Sequence, residues 1–386
     1  MGRAVIFNSP PAPLPRTAPL PPISDRNPLV RVAYFHPRNA SLKMNTEYVK
    51  FLKNYAGIGR PMTSAISPFS PVEVDLRLLS ENLKQLVGNR HPILSAAAEH
   101  IFAAGGKRVR PAIVLLISRA MMRMHDKDIT PRHRRLAEIT EMIHTASLVH
   151  DDVVDESDVR RGIPTVHSLF GNKIAILAGD FLFGQASWYI ANLDNLEVVK
   201  LLSQVIMDLP TGEIQQGMNR FDTSLTIEAY LEKSYYKTAT LIANSCKAAA
   251  ILSDVSAEIA ENAYNYGRHL GLAFQIVDDI LDFTGSTEAL GKPACSDLIS
   301  GNLTAPVLYA LEKEPDLQEL IEREFSHPAD LESALALIES SNGILRSREL
   351  AAFQAKLAVE HLVDLPPSEC RQALIDIADY VLSRLY

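Results

Sequence analysis

Two identical acidic clusters set in apolar surroundings constrain this chain more than any other feature. Asp151-Asp152-Val153-Val154-Asp155 and Asp278-Asp279-Ile280-Leu281-Asp282 both read DDxxD, 127 positions apart, and each follows a strongly apolar stretch. On a helix, positions i, i+1 and i+4 project at about 0°, 100° and 40°, which predicts that each trio points its carboxylates into one quadrant. Two carboxylates roughly 5 Å apart repel by about 3 kcal/mol at an effective dielectric of 20, so such a trio beside an apolar face needs a counter-charge. A solvated helix end is the bland alternative, and its repetition at the same spacing in the same flanks argues against it. An all-oxygen donor set suits Mg²⁺, which binds through one or two carboxylates plus substrate phosphates. A calcium loop would need acids at alternate positions, a central Gly and a late Glu, and neither cluster has them.

The clusters sit in a chain that reads as helical from Pro71 onward. Val74, Leu78, Leu79, Leu83 and Leu86 mark one apolar stripe, and Leu136, Ile139, Ile143, Ala146, Ser147 and His150 another. Alternating runs long enough for strands are missing from the sequence, and the one Asn-Gly pair, Asn342-Gly343, has no such runs beside it to make a hairpin. Breaks are expected at Gly105-Gly106, Gly162 to Pro164, Gly171-Asn172, Pro210 to Gly212, Gly285, and Gly291 to Pro293. Helices over 136–158 and 262–284 are apolar on most of their circumference and should be central. The expected fold class is all-α, with about a dozen helices. Asp180 is expected to be a buried acid with a structural partner, and His150 to be structural.

Residues 1–71 differ in kind. They hold 12 of the 23 prolines, and nine Lys or Arg against two acids, so they sum to +7 while the rest carries −15 of the net −8. Pro10 to Pro22 cannot propagate a helix. A basic, acid-poor, Pro- and Ser-rich leader reads as an organelle transit peptide plus spacer, the alternative being a disordered tail without an address. The catalytic domain is then expected over 72–386. Net negative charge argues against nucleic acid as a partner. Cys246, Cys295 and Cys370 are too few and too scattered for a disulfide framework or a zinc site. No uncharged stretch in the body exceeds fourteen residues, and Phe181 to Leu193 has thirteen, too short to span a bilayer.

The basic residues supply what the acids would need around a diphosphate. Gly105-Gly106-Lys107-Arg108-Val109-Arg110-Pro111 puts Lys107 and Arg110 at a helix start, where free N–H groups favour an anion. Arg160-Arg161 follows the first cluster, and Lys237-Thr238 and Lys292 lie in polar breaks. His144 lies two turns before Asp151 on the same face, and Gln275 one turn before Asp278 and Asp279. Several Mg²⁺ ions on one side and Arg/Lys donors on the other match a diphosphate.

Taken together, GGKRVRP (105–111), DDVVDESDVRRG (151–162), YYKTA (235–239), FQIVDDILDFTGS (274–286) and LGKP (290–293) resemble the trans-isoprenyl diphosphate synthases over residues 72–386. The stretches EMIHTASLVHDDVVDES, LAGDFLFGQASWYIANLDNLEVVKL and GNLTAPVLYALE are similar to the plastid branch that makes solanesyl (nonaprenyl) chains. The resemblance implies an isoprenoid synthase helical bundle with a central active-site cavity, usually a homodimer, with two or three Mg²⁺ per site. It implies that Lys107, Arg110, His144 and Arg161 bind isopentenyl diphosphate. Asp151, Asp152, Asp155, Asp278, Asp279 and Asp282 would bind Mg²⁺. Arg160, Lys237, Thr238, Gln275 and Lys292 would contact the allylic diphosphate. One departure is Asn302, where many relatives have lysine. The branch implies a plastid location, with the mitochondrion as alternative, and a product for a prenylquinone, plastoquinone or ubiquinone.

The implied chemistry is ionisation of the allylic C–O bond, attack by the isopentenyl double bond, and loss of a proton. Electrostatic stabilisation of the departing diphosphate carries it. The growing tail needs an apolar tunnel, and the small Ala146 and Ser147, five and four residues before Asp151, leave room for one. Release of so apolar a product would involve peripheral contact with a membrane. Competing readings are a terpene cyclase, a geranylgeranyl diphosphate synthase, and a non-catalytic subunit of a heteromeric synthase. The paired complete DDxxD motifs and GGKRVRP weigh against the first and the last.

Overall fold

The structure, a computed structural model, describes residues 67–86, 92–103, 106–160, 162–285 and 295–385. The leader up to residue 66, Arg161 and Lys292 lie outside the described residues. The helices are α1 (Glu73–Leu86), α2 (Pro92–Ala103), α3 (Val109–Met122), α4 (Pro131–Val154), α5 (Val166–Phe170), α6 (Asn172–Ala191), α7 (Leu196–Met218) and α8 (Ile227–Ser234). They continue as α9 (Thr240–Leu252), α10 (Ala257–Thr284), α11 (Ser296–Ile299), α12 (Ala305–Leu311), α13 (Pro315–Glu322), α14 (Asp330–Ser340), α15 (Gly343–Glu360) and α16 (Glu369–Ser383). The all-α expectation holds. The one ladder among the described residues is a two-residue antiparallel pair, Val159–Arg160 (β1) with Ile163–Pro164 (β2).

The centre of the bundle is α9, which packs against α10, α7, α3 and α4 and is buried on nearly every side. Its composition explains this: Ala243, Cys246, Ala248, Ala249 and Ala250 let neighbouring helices approach, while the Thr240 hydroxyl donates to Asp208 and the Ser245 hydroxyl pairs with that of Thr140. The helix expected over 136–158 runs instead over α4. Thr130 and Pro131 start it a turn early, with the His133 ring accepting from the Thr130 N–H at 3.1 Å. It stops at Val154 because Glu156 takes a left-handed conformation (φ 51°). The second central helix, α10, ends at Thr284 as expected and starts at Ala257 under the cap of Ser256.

Three other expectations need correction. The break at Pro210 to Gly212 is not a turn: α7 runs straight through it, because a single missing backbone donor does not end a well-packed helix. The α1 stripe is misassigned, for Val74 and Leu78 are exposed while Val72, Leu79 and Leu83 are buried. The helix docks instead through Asp75, which both Arg119 (2.7 Å) and Arg134 (2.8 Å) grip. Asp180 is exposed rather than buried, 3.6 Å from His150. By length and composition alone α6, 20 residues long, is apolar enough to cross a membrane, a test that a core helix also passes. One face of it, Ala175, Ala178, Leu182, Ala186 and Ile190, is packed into the core. Ahead of α1, Phe69 packs edge-on against Tyr380.

Candidate active site

The site is organised by a π-helical turn, Tyr235–Ala239, between α8 and α9. The wider turn swings Lys237 and Thr238 out of the α-helical register, and such single π-turns recur at functional sites. Two glycines let it come close to its neighbours. A Cβ on Gly212 of α7 would meet the Lys237 backbone nitrogen at 2.8 Å, and one on Gly271 of α10 would meet Ala239 Cα at 2.6 Å. From this turn Thr238 Oγ1 donates to Gln275 Oε1 (2.5 Å), whose Nε2 donates to Asp279 Oδ1 (2.8 Å). Lys237 Nζ pairs with Glu213 (2.7 Å) and donates to Gln216 Oε1 (3.1 Å). Burial works against that ammonium's charge, but the Glu213 carboxylate outweighs it and holds the group above its ordinary pKa.

The first acidic motif stands at the end of α4, with Asp155 as its C-cap. Its carboxylates do not share one quadrant. Asp151 faces Lys237 and Glu213; burial, then the Glu213 charge, pushes it up to about 7. Asp152, 100° round the helix, is buried against Arg160, whose Nε donates to it at 2.6 Å. Burial raises its pKa and Arg160 opposes the shift. The β1–β2 ladder is what holds Arg160 there. Asp155 is exposed.

The second motif is more committed to protein partners. Asp278 pairs with Arg384 at 2.7 Å. Asp279 is buried and accepts from Tyr230 Oη (2.5 Å) and Gln275; burial, then the Asp297 charge, raises its pKa well above the carboxylate range. Asp282 is buried and accepts from Ser296 Oγ (3.0 Å) and the Asp297 N–H (3.1 Å), so it holds the turn into α11. Among the described residues no three acids, His or Cys converge on one point. That fits an ion held by one or two carboxylates and completed by substrate phosphates.

Of the set assigned to isopentenyl diphosphate, Arg110 and His144 are together, Nη1 to Nε2 at 3.1 Å. Lys107 precedes α3, bonded to Tyr380 Oη. Arg108 between them takes a left-handed conformation (φ 48°), an uncommon one for a residue with a Cβ, and pairs with Glu141. A cleft of ≈ 580 Å³, open to solvent, runs beside them past Glu141, His144, Leu148, Asp152 and Arg160. Ser147 is half-buried one turn below Asp151, and Ala146 is fully buried; neither lines that cleft. The sequence reading missed Glu213, Gln216, Tyr230, Lys233 and Arg384. Glu213 and Gln216 were hidden by taking Pro210–Gly212 for a break; the i, i+3 spacing of two polar residues after it was the available signal.

An all-α bundle in which two acid motifs, each with a buried carboxylate, flank a lysine–threonine turn has the parts of a prenyltransferase. The polyprenyl synthetase family matches residues 91–338, and the chain belongs to that family. It is 67% identical over 325 residues to a prenyl transferase of Synechocystis sp., covering 84% of this chain and all of that one. It is 55% identical over 318 residues to the chloroplastic solanesyl diphosphate synthase 2 of Arabidopsis thaliana, covering 82% of this chain and 76% of that one. Among solved structures, a Caulobacter crescentus polyprenyl synthase complexed with calcium and isoprenyl diphosphate superposes with a TM-score of 0.78 at 34% identity, covering 85% of this chain and all of the other.

Proposed function

We propose that this chain is an Mg²⁺-dependent synthase that extends an allylic diphosphate with isopentenyl units to the nine-unit, all-trans solanesyl diphosphate for a prenylquinone. The observation that carries the reading is the chain of contacts Lys237–Thr238–Gln275–Asp279, with Asp151 facing the same lysine. Lys237, Thr238, Gln275 and Arg160, with Lys292, bind the allylic diphosphate. Lys107, Arg110 and His144, with Arg161, hold the diphosphate of isopentenyl diphosphate. Asp151, Asp152, Asp155, Asp278, Asp279 and Asp282 supply oxygens for two or three Mg²⁺, and Asp151 and Asp279 have raised pKa values first from burial and then from the neighbouring Glu213 and Asp297 carboxylates. When bound, Mg²⁺ stabilises the charge that builds on the departing diphosphate.

The step balances without a protein nucleophile. The allylic C–O bond breaks and its electron pair leaves with the diphosphate. The isopentenyl double bond forms the new C–C bond, and a proton is lost to the released diphosphate. Ala146 and Ser147 bound the tunnel that takes the tail. A second copy covers the exposed Ile176, Leu177 and Trp188 of α6 and Met207, Ile214 and Met218 of α7, giving a homodimer. Residues 1–71 direct the chain to the plastid, which a fluorescent fusion of that segment tests. The central test is purified protein with isopentenyl diphosphate, Mg²⁺ and either farnesyl or geranylgeranyl diphosphate, with dephosphorylated products separated by reversed-phase chromatography. Nine-unit chains are expected. Products stopping at four units would make it a geranylgeranyl diphosphate synthase, and no elongation from either primer would remove the reading.

A further inference from the structure

Lys233 is the last charged residue of α8, one turn before Lys237, and it is almost wholly buried (6% exposed). Its ammonium donates to a neutral group, Asn302 Oδ1, at 2.6 Å. Among the described residues no carboxylate lies within ion-pair distance of it. The acid that most favours its charge, Asp279, already accepts from Tyr230 and Gln275. A buried cation with only a neutral partner is costly unless an anion joins it. A second, independent observation lies beside it: Thr304 is 1% exposed and its Oγ1 has no hydrogen-bond partner. Buried hydroxyls are normally paired. Both groups line one pocket of ≈ 230 Å³ with Lys237, Gln275, Asp279 and Asn302.

We propose that Lys233 is a further cation of the allylic diphosphate site, its ammonium reaching a phosphate oxygen from α8 while Thr304 Oγ1 donates to the same phosphate. The inference rests on reading this pocket as the allylic site. It gives the pocket two cations one helical turn apart, Lys233 deep beside Asn302 and Lys237 paired with Glu213, so that the two phosphates of one diphosphate are gripped separately. Asn302 then orients the ammonium and contributes no charge of its own.

The test is steady-state kinetics of three variants of the full chain with farnesyl diphosphate. Lys233→Met keeps the volume and removes the charge. It should raise the KM for the allylic substrate about tenfold or more, leave the KM for isopentenyl diphosphate within about twofold, and leave the Tm unchanged or higher. Adding Asn302→Lys places an ammonium against the same point and should recover most of the loss. Thr304→Val, which keeps the shape, should raise the allylic KM about threefold without lowering the Tm. An unchanged allylic KM in Lys233→Met overturns the inference. So does a Lys233→Met defect that lowers the Tm and is not relieved by Asn302→Lys. Should Lys233→Met fail to fold, Thr304→Val decides on its own: an unchanged allylic KM overturns the inference. Parent protein that elongates no primer would instead overturn the reading of the site, which keeps the two failures distinct.

Discussion

The two DDxxD motifs are the same in sequence and different in situation. The first ends a helix: its last acid is an exposed cap, and Asp151 faces a lysine already shared with Glu213. The second lies within the last turns of α10, and each of its three acids has a protein partner. Identical letters therefore stand in different settings, the first motif ending on an exposed acid and the second tied throughout to the surrounding framework. The sharpest way to break that comparison is a matched pair of substitutions. Asp151→Asn should lower kcat on the order of 10³-fold or more while the protein stays folded. Asp282→Ala should lower both activity and Tm, because it removes the acceptor of Ser296 Oγ and the Asp297 N–H. Equal Tm losses in the two variants would erase the distinction.

The second prediction concerns the turn that both motifs flank. Gly212→Ala would put a methyl group 2.8 Å from the Lys237 nitrogen, and that neighbour is backbone, not a flexible side chain. We expect a roughly 10- to 100-fold loss of activity, comparable to other small misplacements of positioning groups, and about 1–3 kcal/mol of destabilisation. Activity and Tm close to those of the parent would show that the π-turn's closeness to α7 is dispensable.

Much of this was readable from the residues. The helical period, the paired acids and the Lys107–Arg110 helix start are local patterns, and local patterns survive folding. What the sequence did not show were tertiary choices. An angular wheel places i and i+1 at 100°, and only the β1–β2 ladder decides that Asp152 turns to Arg160 while Asp151 turns to Lys237. Val74 and Asp75 are neighbours, and two arginines on other helices decide which of them faces inward. Pro210 and Gly212 carry turn chemistry, yet here the glycine serves close approach within a helix. Lys233 looks like any helical lysine until its burial against Asn302 is seen.

A smaller effect follows from the raised pKa of Asp151. Its carboxyl titrates near 3.8 when unfolded and at about 7 in the fold. Between those values the folded chain holds a proton that the unfolded chain has released, so stability falls as pH rises through this window and levels off above about 7. Asp151→Asn abolishes that contribution. The Tm advantage of the variant over the parent, measured without added metal, should therefore be near zero at pH 4 and reach a plateau above about pH 7. A pH-independent difference would place Asp151 in water, like Asp155, and not in the buried setting that separates it from its motif partner.

The gentlest substitutions address where the product tail goes, and they extend the comparison down α4. Ser147 is one turn below Asp151 on the same face, half-buried, with its hydroxyl returned to the His144 carbonyl at 2.9 Å. A phenyl group there would stand about 5.4 Å from the acid level, roughly one isoprene length along a tail descending that face. Ala146 is fully buried, so Ala146→Phe must push a neighbour aside and carries an overpacking cost of about 1–3 kcal/mol. If the tail runs down the Asp151 face, both variants shorten the product with little change in the rate of the first addition, Ser147→Phe more cleanly because it has less to displace. If both still deliver full-length chains at an unaltered Tm, the tail leaves along another wall. The cleft beside Glu141, Leu148 and Asp152 would then be its course, with Asp152 rather than Asp151 marking the mouth.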